Sequence, residues 1–273
     1  MLEALSYDFM HHALAAGLLA SIACGIIGSL VVVNRIVFLS GGIAHSAYGG
    51  VGLAFFLGWP VLPCTVGFTL CAALVMAGVT LRYREKTDTV IGVLWAAGMA
   101  FGIILLDITP GYNVDLMSFL FGSILAVPAS DLWLMLVLDA VVLAVVLLFY
   151  RDFLAMSFDQ EFARARGVPV TVLHVIMLAM IAVSVVMIIR VVGLILVIAL
   201  LTIPPYLAER TASSLGRMMC AATLWSTGFC CAGLWISYEF DITSGASIIA
   251  VAAACFFGLL LFETARGRLG RGS

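Results

Sequence analysis

Long apolar stretches recur from one end of the chain to the other, and they restrict its fold more than any other feature. Of the 273 residues, 64% are hydrophobic and only 10% are charged, whereas soluble domains carry roughly 25% charged residues. Stretches of this length cross a bilayer as helices, because the open edge of a sheet would leave backbone groups without hydrogen bonds in lipid. The sequence therefore predicts an all-α integral membrane protein, a polytopic helical bundle.

Nine apolar stretches are predicted as spans, which indicates about eight to nine transmembrane helices of ~20 residues each. The gaps between them are too short for a soluble domain, so we expect a single transmembrane domain over residues 1–273. A further apolar piece, residues 116–127, is too short to span and is expected to be interfacial or re-entrant. The predicted spans are residues 11–33, 36–58, 61–81, 89–106, 132–150, 170–189, 191–207, 218–237 and 244–262.

The basic residues indicate how these spans are oriented. With the C-terminus in the cytoplasm and the N-terminus outside, twelve of the 13 Lys and Arg residues lie on the inner side, as the positive-inside rule requires. Arg190 is the exception, and we expect it to reach the membrane surface or to pair with an outer acid. The outer side collects acidic residues, which favours an approaching cation. These acids are Glu3, Asp8, Asp107, Asp115, Asp131, Glu239 and Asp241.

His45 lies in the second predicted span, roughly 14 Å along a helix that begins at Ile36 and therefore near the midplane of the bilayer. An ionisable group at that depth is costly, which makes it a candidate functional residue by default. Gly41, Gly49 and Gly52 share its helical face, so we expect open space beside the imidazole; close helix packing is the other explanation for these glycines. A neutral imidazole suits zinc, manganese or iron as a transient ligand.

Three acidic residues are further candidates for contacts with a cation. Asp139 lies inside the fifth predicted span, where it either hydrogen-bonds a neighbouring helix or lines a pathway. Glu239 and Asp241 lie in an outer turn before the last span. That turn is either simply solvated or forms a mouth that collects cations.

The longest inner connection, residues 151–169, mixes charged with apolar side chains, and we call it the inner segment. A helix that begins at Phe158 would place Phe158 and Phe162 on one face and would end near Gly167. Such a helix is either a docking element for a cytoplasmic partner or an amphipathic helix against lipid headgroups.

Two further observations concern the inner side of the protein. The sequence contains no GxxxxGK[ST] phosphate-binding motif, so an ATP-driven step requires another chain and we expect no enzymatic activity from this one. Pro204 and Pro205 are expected to stop or kink the seventh predicted helix close to its inner end.

Five segments carry a family resemblance: VVVNRIVFLSGGIAHSAYGGVGLA, DTVIGVLWAAGMAFGIILL, SFDQEFARARGV, VVGLILVIALLTIPPYLAERT and YEFDITSGA. They resemble the membrane permease subunits of ABC importers for zinc, manganese and iron(II). Together they cover most of the chain from Val31 to Ala246, and the joint match is specific although each segment alone is a weak signal.

This resemblance implies an ABC importer permease in the inner, or plasma, membrane of a prokaryote. Two permeases, either a homodimer or a pair with a similar chain, would form one pathway over two cytoplasmic ATPase subunits, which bind the ATP. A metal-binding protein outside the membrane would deliver the divalent ion as substrate, so we expect no permanently bound cofactor and no nucleic-acid partner. The ATPase would receive the inner segment through Ser157, Phe158, Asp159, Phe162, Ala163 and Gly167.

The chain departs from the family pattern at Gly41. Many members carry an aspartate there, four residues before the pathway histidine, so the resemblance implies a weaker contact through His45 or one completed by a partner permease. Two other functions stay open: a proton-coupled secondary carrier that uses His45 and Asp139 as a proton relay, and an ABC permease for iron chelates or cobalamin. Ligand type alone does not decide among zinc, manganese and iron.

Overall fold

A computed structural model describes residues 7–83, 87–110, 122 and 124–269, with side chains up to residue 264. Across these residues the chain forms α-helices and one short 3-10 turn, Ile124–Ala126, and no strand occurs among them. The predicted all-α fold class is confirmed. The helices are α1 (Asp8–Val33), α2 (Val37–Leu57), α3 (Val61–Arg82), α4 (Thr87–Asp107), α5 (Ala129–Leu148), α6 (Tyr150–Phe158), α7 (Gln160–Ala165), α8 (Val170–Val192), α9 (Leu194–Glu209), α10 (Leu215–Phe240) and α11 (Ser244–Leu269).

Seven of these helices are long and apolar enough to cross a membrane: α1, α3, α4, α5, α8, α10 and residues 244–264 of α11. Two other helices, α2 and α9, correspond to the remaining two of the nine predicted spans. Helix α2 has 21 residues but is less apolar, because it contains five glycines, two serines and His45. Helix α9 is apolar but has only 16 residues. Each predicted span thus corresponds to a helix, and the prediction of a polytopic bundle is confirmed.

Helices α1 and α8 form the centre of the bundle. The most apolar 18 residues of each are 72% buried, against 22–28% for α3, α4, α5 and α11. Helix α1 packs against α5, α9 and α10, and α8 packs against α2 and α3. Since most residues of these outer helices are exposed or partly exposed, their surfaces are suited to lipid or to another subunit.

Helices α2 and α4 approach each other until their backbones touch. A Cβ atom added at Gly52 would lie 2.3 Å from the carbonyl oxygen of Gly102, and one added at Gly102 would lie 2.2 Å from that of Tyr48. Phe68 of α3 similarly fills the space beside Gly49. Small residues allow this approach in membrane bundles. Gly49 and Gly52 therefore serve close helix packing, the second of the two explanations offered from the sequence, whereas a Cβ atom at Gly41 would meet only the Trp95 ring, at 3.7 Å.

Pro204 and Pro205 lie inside α9, which continues for one more turn to Glu209. They do not stop the helix, and the other expectation, a kink, stays a prediction. Pro205 lacks the N–H group that would bond the carbonyl of Leu201. A Cβ atom at Gly28 of α1 would lie 2.6 Å from that carbonyl oxygen and 2.7 Å from the Pro205 ring. Helix α1 thus packs tightly on the turn of α9 that lacks this hydrogen bond. Most of the apolar piece 116–127 lies outside the described residues.

Candidate functional site

The imidazole of His45 is half-buried between α2 and α4. Its ring stacks on the indole of Trp95 with a centroid distance of 4.0 Å and an interplanar angle of 16°. Its Nδ1 atom lies 3.2 Å from the Sδ atom of Met99. Trp95 and Met99 are four residues apart, so one face of α4 supplies both contacts. Part of the open space expected beside His45 is therefore occupied by α4, and the sequence does not show which helix covers this face.

A cavity of about 640 Å³ lies between the second half of α2, the start of α3 and the end of α8. Its lining is largely apolar, with Tyr48, Thr65 and Arg190 as the polar members. Tyr48 follows His45 by one helical turn, and its buried hydroxyl has no hydrogen-bond partner among the described residues. The cavity therefore offers a few polar groups within an apolar wall, as small-molecule sites do.

Arg190 at the edge of this cavity pairs with Asp131 of α5, with 3.0 Å between Nε and Oδ2. The Asp131 side chain is 8% exposed and that of Arg190 is 45% exposed. The expectation that Arg190 pairs with one of the acids predicted on the outer side is confirmed.

Asp139 is buried on the face of α5 that also carries Asp131 and Met135. Its Oδ2 atom has no hydrogen-bond partner within the part of the chain that the structure describes. Helix α5 packs on α1 and α8, whereas α2 packs mainly on α3 and α4, so Asp139 and His45 belong to different helix contacts. Among the described residues, no three His, Cys, Asp or Glu side chains gather into a metal site.

Glu239 and Asp241 are both exposed where α10 ends and the turn to α11 begins. The turn is built by Asp241 in a left-handed conformation, with φ of 51°, and by the Ser237 hydroxyl, which donates to the Ile242 carbonyl over 2.6 Å. Both carboxylates are accessible to solvent, an arrangement that suits either of the two roles predicted for this turn.

The inner segment is two helices rather than one continuous helix from Phe158. Helix α6 ends at Phe158, and the side chain of Asp159 accepts hydrogen bonds from the N–H groups of Glu161 and Phe162, both over 2.9 Å. Asp159 is thus the N-cap of α7, which separates the two phenylalanines into different helices. The single helix predicted from Phe158 is wrong for this reason.

The two helices nevertheless form an amphipathic surface. Phe158 and Phe162 are 80% and 55% exposed, whereas Phe153 and Ala163 are fully buried in the core. Gly167, with φ of 82°, ends the turn after α7 and donates its N–H to the Arg164 carbonyl over 3.0 Å. The inner segment is therefore anchored on one side and presents two aromatic rings on the other.

Two hydrogen bonds attach the inner segment and Tyr150, the residue that precedes it, to distant helices. The Asn34 amide at the end of α1 donates to the Ser157 hydroxyl over 2.9 Å. The N–H of Gly216 in the first turn of α10 donates to the Tyr150 hydroxyl over 3.0 Å. Ser157 was named from the sequence as a coupling residue, but its partner Asn34 was not, nor were Tyr150 and Gly216, Trp95 and Met99, because pairs so far apart in the chain leave no local pattern.

The apolar bundle and the amphipathic inner segment together define a polytopic helical membrane protein. The chain belongs to the ABC 3 transport family, whose model matches residues 6–263. It is 47% identical over 263 residues to an uncharacterized membrane protein of Synechocystis sp., covering 96% of this chain and 94% of that protein.

A second relative is the manganese transport system membrane protein MntC of Halalkalibacterium halodurans. It is 34% identical over 269 residues, which cover 98% of this chain and 92% of the relative. Among solved structures, PsaBC from Streptococcus pneumoniae in complex with Fab matches with a TM-score of 0.84 and 30% identity, over 94% of this chain and 92% of that chain. The resemblance to metal ABC importer permeases is confirmed.

Proposed function

We propose that this chain is the translocation subunit of an ATP-driven importer for a divalent transition metal. The main support is that relatives named for manganese transport align with it over nearly its whole length. A second permease copy or a similar permease would complete the pathway. A cytoplasmic ATPase would supply the energy, and a metal-binding protein outside the membrane would deliver the ion.

The inner segment is proposed as the docking surface for the ATPase. Phe158 and Phe162 are large exposed rings, and Arg164 and Arg166 lie exposed beside them. Aromatic side chains surrounded by charge are typical of protein interfaces. Because Phe153 and Ala163 are buried, force applied to the exposed rings would be carried into the bundle instead of bending a loose loop.

His45 is proposed as a transient contact for the metal ion. A conducting site must bind strongly enough to admit the ion and weakly enough to release it. One imidazole in each of two permeases meets that condition better than a complete coordination shell. Glu239 and Asp241 would concentrate cations at the entrance, and Asp139 would lie further from the His45 contact as a buried carboxyl with a free acceptor.

The proposal is tested by metal uptake into proteoliposomes that contain the permease, its ATPase and the metal-binding protein. We expect uptake to require ATP, and His45→Ala to reduce it strongly while the complex still assembles. His11→Ala is the matched control, because His11 is exposed at the start of α1. Wild-type uptake by the His45→Ala complex would remove His45 from the pathway. Uptake driven by a pH gradient without the ATPase would indicate a secondary carrier instead.

Docking is tested separately by co-purification with the ATPase. We expect Phe158→Asp or Phe162→Asp to abolish the complex, since a charge would replace an apolar anchor. Tyr83→Asp is the control, because Tyr83 is an exposed aromatic residue at the predicted inner end of α3. If the Phe variants retain the ATPase, the inner segment is an interfacial helix against headgroups.

A further inference from the structure

We infer that Trp95 is an inner gate, whose indole closes the pathway between His45 and the cytoplasmic side and must move aside before an ion passes. This inference rests on the proposed function, because it assigns a gating residue to that transport. It is carried by the position of the indole ring, which stacks on the imidazole of His45 at 4.0 Å and also lies 5.8 Å from the ring of Phe38.

Helices α2 and α4 lie side by side and run in the same direction. Gly42 packs against Ile91 in the first half of both helices, and Gly52 packs against Gly102 in the second half. In the predicted orientation both helices begin on the inner side of the membrane and end on the outer side. Positions earlier in either helix are therefore closer to the cytoplasm.

The indole of Trp95 covers the part of α2 that leads from His45 toward the cytoplasm. Phe38, Gly41 and His45 follow one another on one face of α2, because they are three and four residues apart. The indole contacts the two rings, and a Cβ atom at Gly41 would meet only this indole, at 3.7 Å. These three positions span about 10 Å of the helix axis. The ring therefore lies between His45 and the inner end of α2.

The outer side of His45 offers more space. The cavity of about 640 Å³ begins at Ala47 and Tyr48, just beyond His45, and extends to Pro60 and Arg190, which are exposed. The structure thus combines space on the outer side of the imidazole with an aromatic ring on its inner side. This arrangement suits a state that receives an ion from outside and is closed toward the cytoplasm.

The indole can move more easily than the two helices can separate. Helices α2 and α4 touch through their backbones at Gly52 and Gly102, whereas Gly41 presents no side chain to the ring of Trp95. Trp95 is partly exposed, and its indole N–H has no hydrogen-bond partner among the residues that the structure describes. A buried indole N–H usually finds a partner. The free donor near the middle of α4 therefore indicates a ring at the edge of a passage.

The experiment measures passive entry of Mn²⁺, without ATP, into proteoliposomes that contain the complete complex and a trapped fluorescent Mn²⁺ indicator. We expect the unaltered complex to hold Mn²⁺ back and Trp95→Ala to admit it, because the ring no longer closes the inner side. Trp95→Phe keeps an aromatic ring and should hold Mn²⁺ back. Phe101→Ala is the matched control, since it removes from the same helix a ring that stacks on Phe68 with a centroid distance of 6.0 Å.

Phe38→Ala gives a second test that does not depend on whether Trp95→Ala folds. Phe38 is 45% exposed, so its truncation leaves the buried core intact. Loss of one aromatic pair is expected to raise passive Mn²⁺ entry about 2- to 10-fold. Thermal unfolding in detergent is measured on the same preparations, because a purely structural role would lower the unfolding midpoint without admitting Mn²⁺.

The outcomes separate the gate from the proposed function. Passive entry in Trp95→Ala and Phe38→Ala, with none in Trp95→Phe and Phe101→Ala, supports the gate. If the unaltered complex imports Mn²⁺ with ATP but neither alanine variant of the gate admits it passively, the gate is overturned and the proposed function stands. Equal passive entry in Phe101→Ala and Trp95→Ala also overturns the gate. If the unaltered complex imports no Mn²⁺ with ATP, the proposed function fails, and passive entry still decides the gate.

Discussion

Asn34 donates its side-chain amide to the Ser157 hydroxyl over 2.9 Å and so joins the end of α1 to the inner segment. The same amide nitrogen donates to the Leu30 carbonyl over 2.8 Å, which fixes the side chain against its own helix. Helix α2 begins only three residues later, at Val37. The hydrogen bond therefore lies between the proposed docking surface and the helix that carries His45.

The corner between α1 and α2 is stiff enough to pass on a displacement. Arg35 donates its N–H to Val32 and Ile36 donates to Val31, both over 3.0 Å, which is the Schellman pattern at a helix end. Arg35 takes the left-handed conformation of this motif, with φ of 57°, although it has a Cβ atom. A movement of this corner is thus expected to shift the start of α2 rather than to be absorbed by a loose turn.

We therefore predict that Asn34→Ala lowers the number of metal ions transported per ATP without preventing assembly with the ATPase. The loss of a hydrogen bond worth about 0.5–1.5 kcal/mol corresponds to a fall of roughly 2- to 10-fold. ATP hydrolysis and uptake are measured together in proteoliposomes. Ser157→Ala should have the same effect, and the double variant should be no worse than either single one, because both remove one interaction.

Two further variants make this prediction specific. Ser157→Thr keeps the hydroxyl and should retain coupling. Thr264→Val is the control, since the Thr264 hydroxyl donates to the Leu260 carbonyl of its own helix, over 2.8 Å. Normal coupling in Asn34→Ala would show that the hydrogen bond has a local structural role alone.

Asp159→Ala is expected to weaken binding of the ATPase while leaving the stability of the bundle nearly unchanged. The side chain caps α7, and replacing an N-cap by Ala costs about 1 kcal/mol. A helix of only six residues has little else to hold its first turn. Asp159→Asn retains the acceptor and should bind normally. Titration of the purified ATPase gives the affinity, and equal affinities for the Ala and Asn variants would contradict the prediction.

The helices could be predicted from the sequence because each is specified by its own apolar run and by the bilayer. Contacts between helices could not be predicted from the sequence, and most of the site residues that the sequence did not reveal take part in such contacts. His45 was identified from its depth, but Trp95 and Met99 cover it because α4 packs on α2. The break at Asp159 did have a local signal, an aspartate directly before a short helical run. In contrast, the close packing of α1 on the turn of α9 that contains Pro205 is a contact between distant segments and leaves no local pattern.

Gly102→Ala is expected to destabilise the bundle strongly, because the added Cβ would lie 2.2 Å from the Tyr48 carbonyl oxygen, a backbone atom that cannot rotate away. Overpacking of this kind costs about 1–3 kcal/mol or more. Gly92→Ala on the same helix is the matched control, since a Cβ there meets nothing within 4 Å. Thermal unfolding in detergent should show a lower midpoint for Gly102→Ala alone. Equal midpoints would mean that α2 and α4 are further apart than described.

Removing Arg190 and removing Asp131 from their ion pair are expected to lower the stability of the protein by different amounts. Arg190→Ala leaves a carboxylate that is 8% exposed without its cation, whereas Asp131→Asn leaves a guanidinium that is 45% exposed and can still reach water. Leaving a buried acceptor unpaired lowers the free energy of unfolding by about 1–3 kcal/mol. Because Arg190 is half-exposed, we expect a loss near the lower end of this range. We expect Arg190→Ala to lower the unfolding midpoint more than Asp131→Asn does. The double variant Arg190→Leu with Asp131→Leu should recover much of the loss, because it leaves no buried charge unpaired. If both single variants unfold at the same temperature as the unaltered chain, the pair contributes nothing to stability.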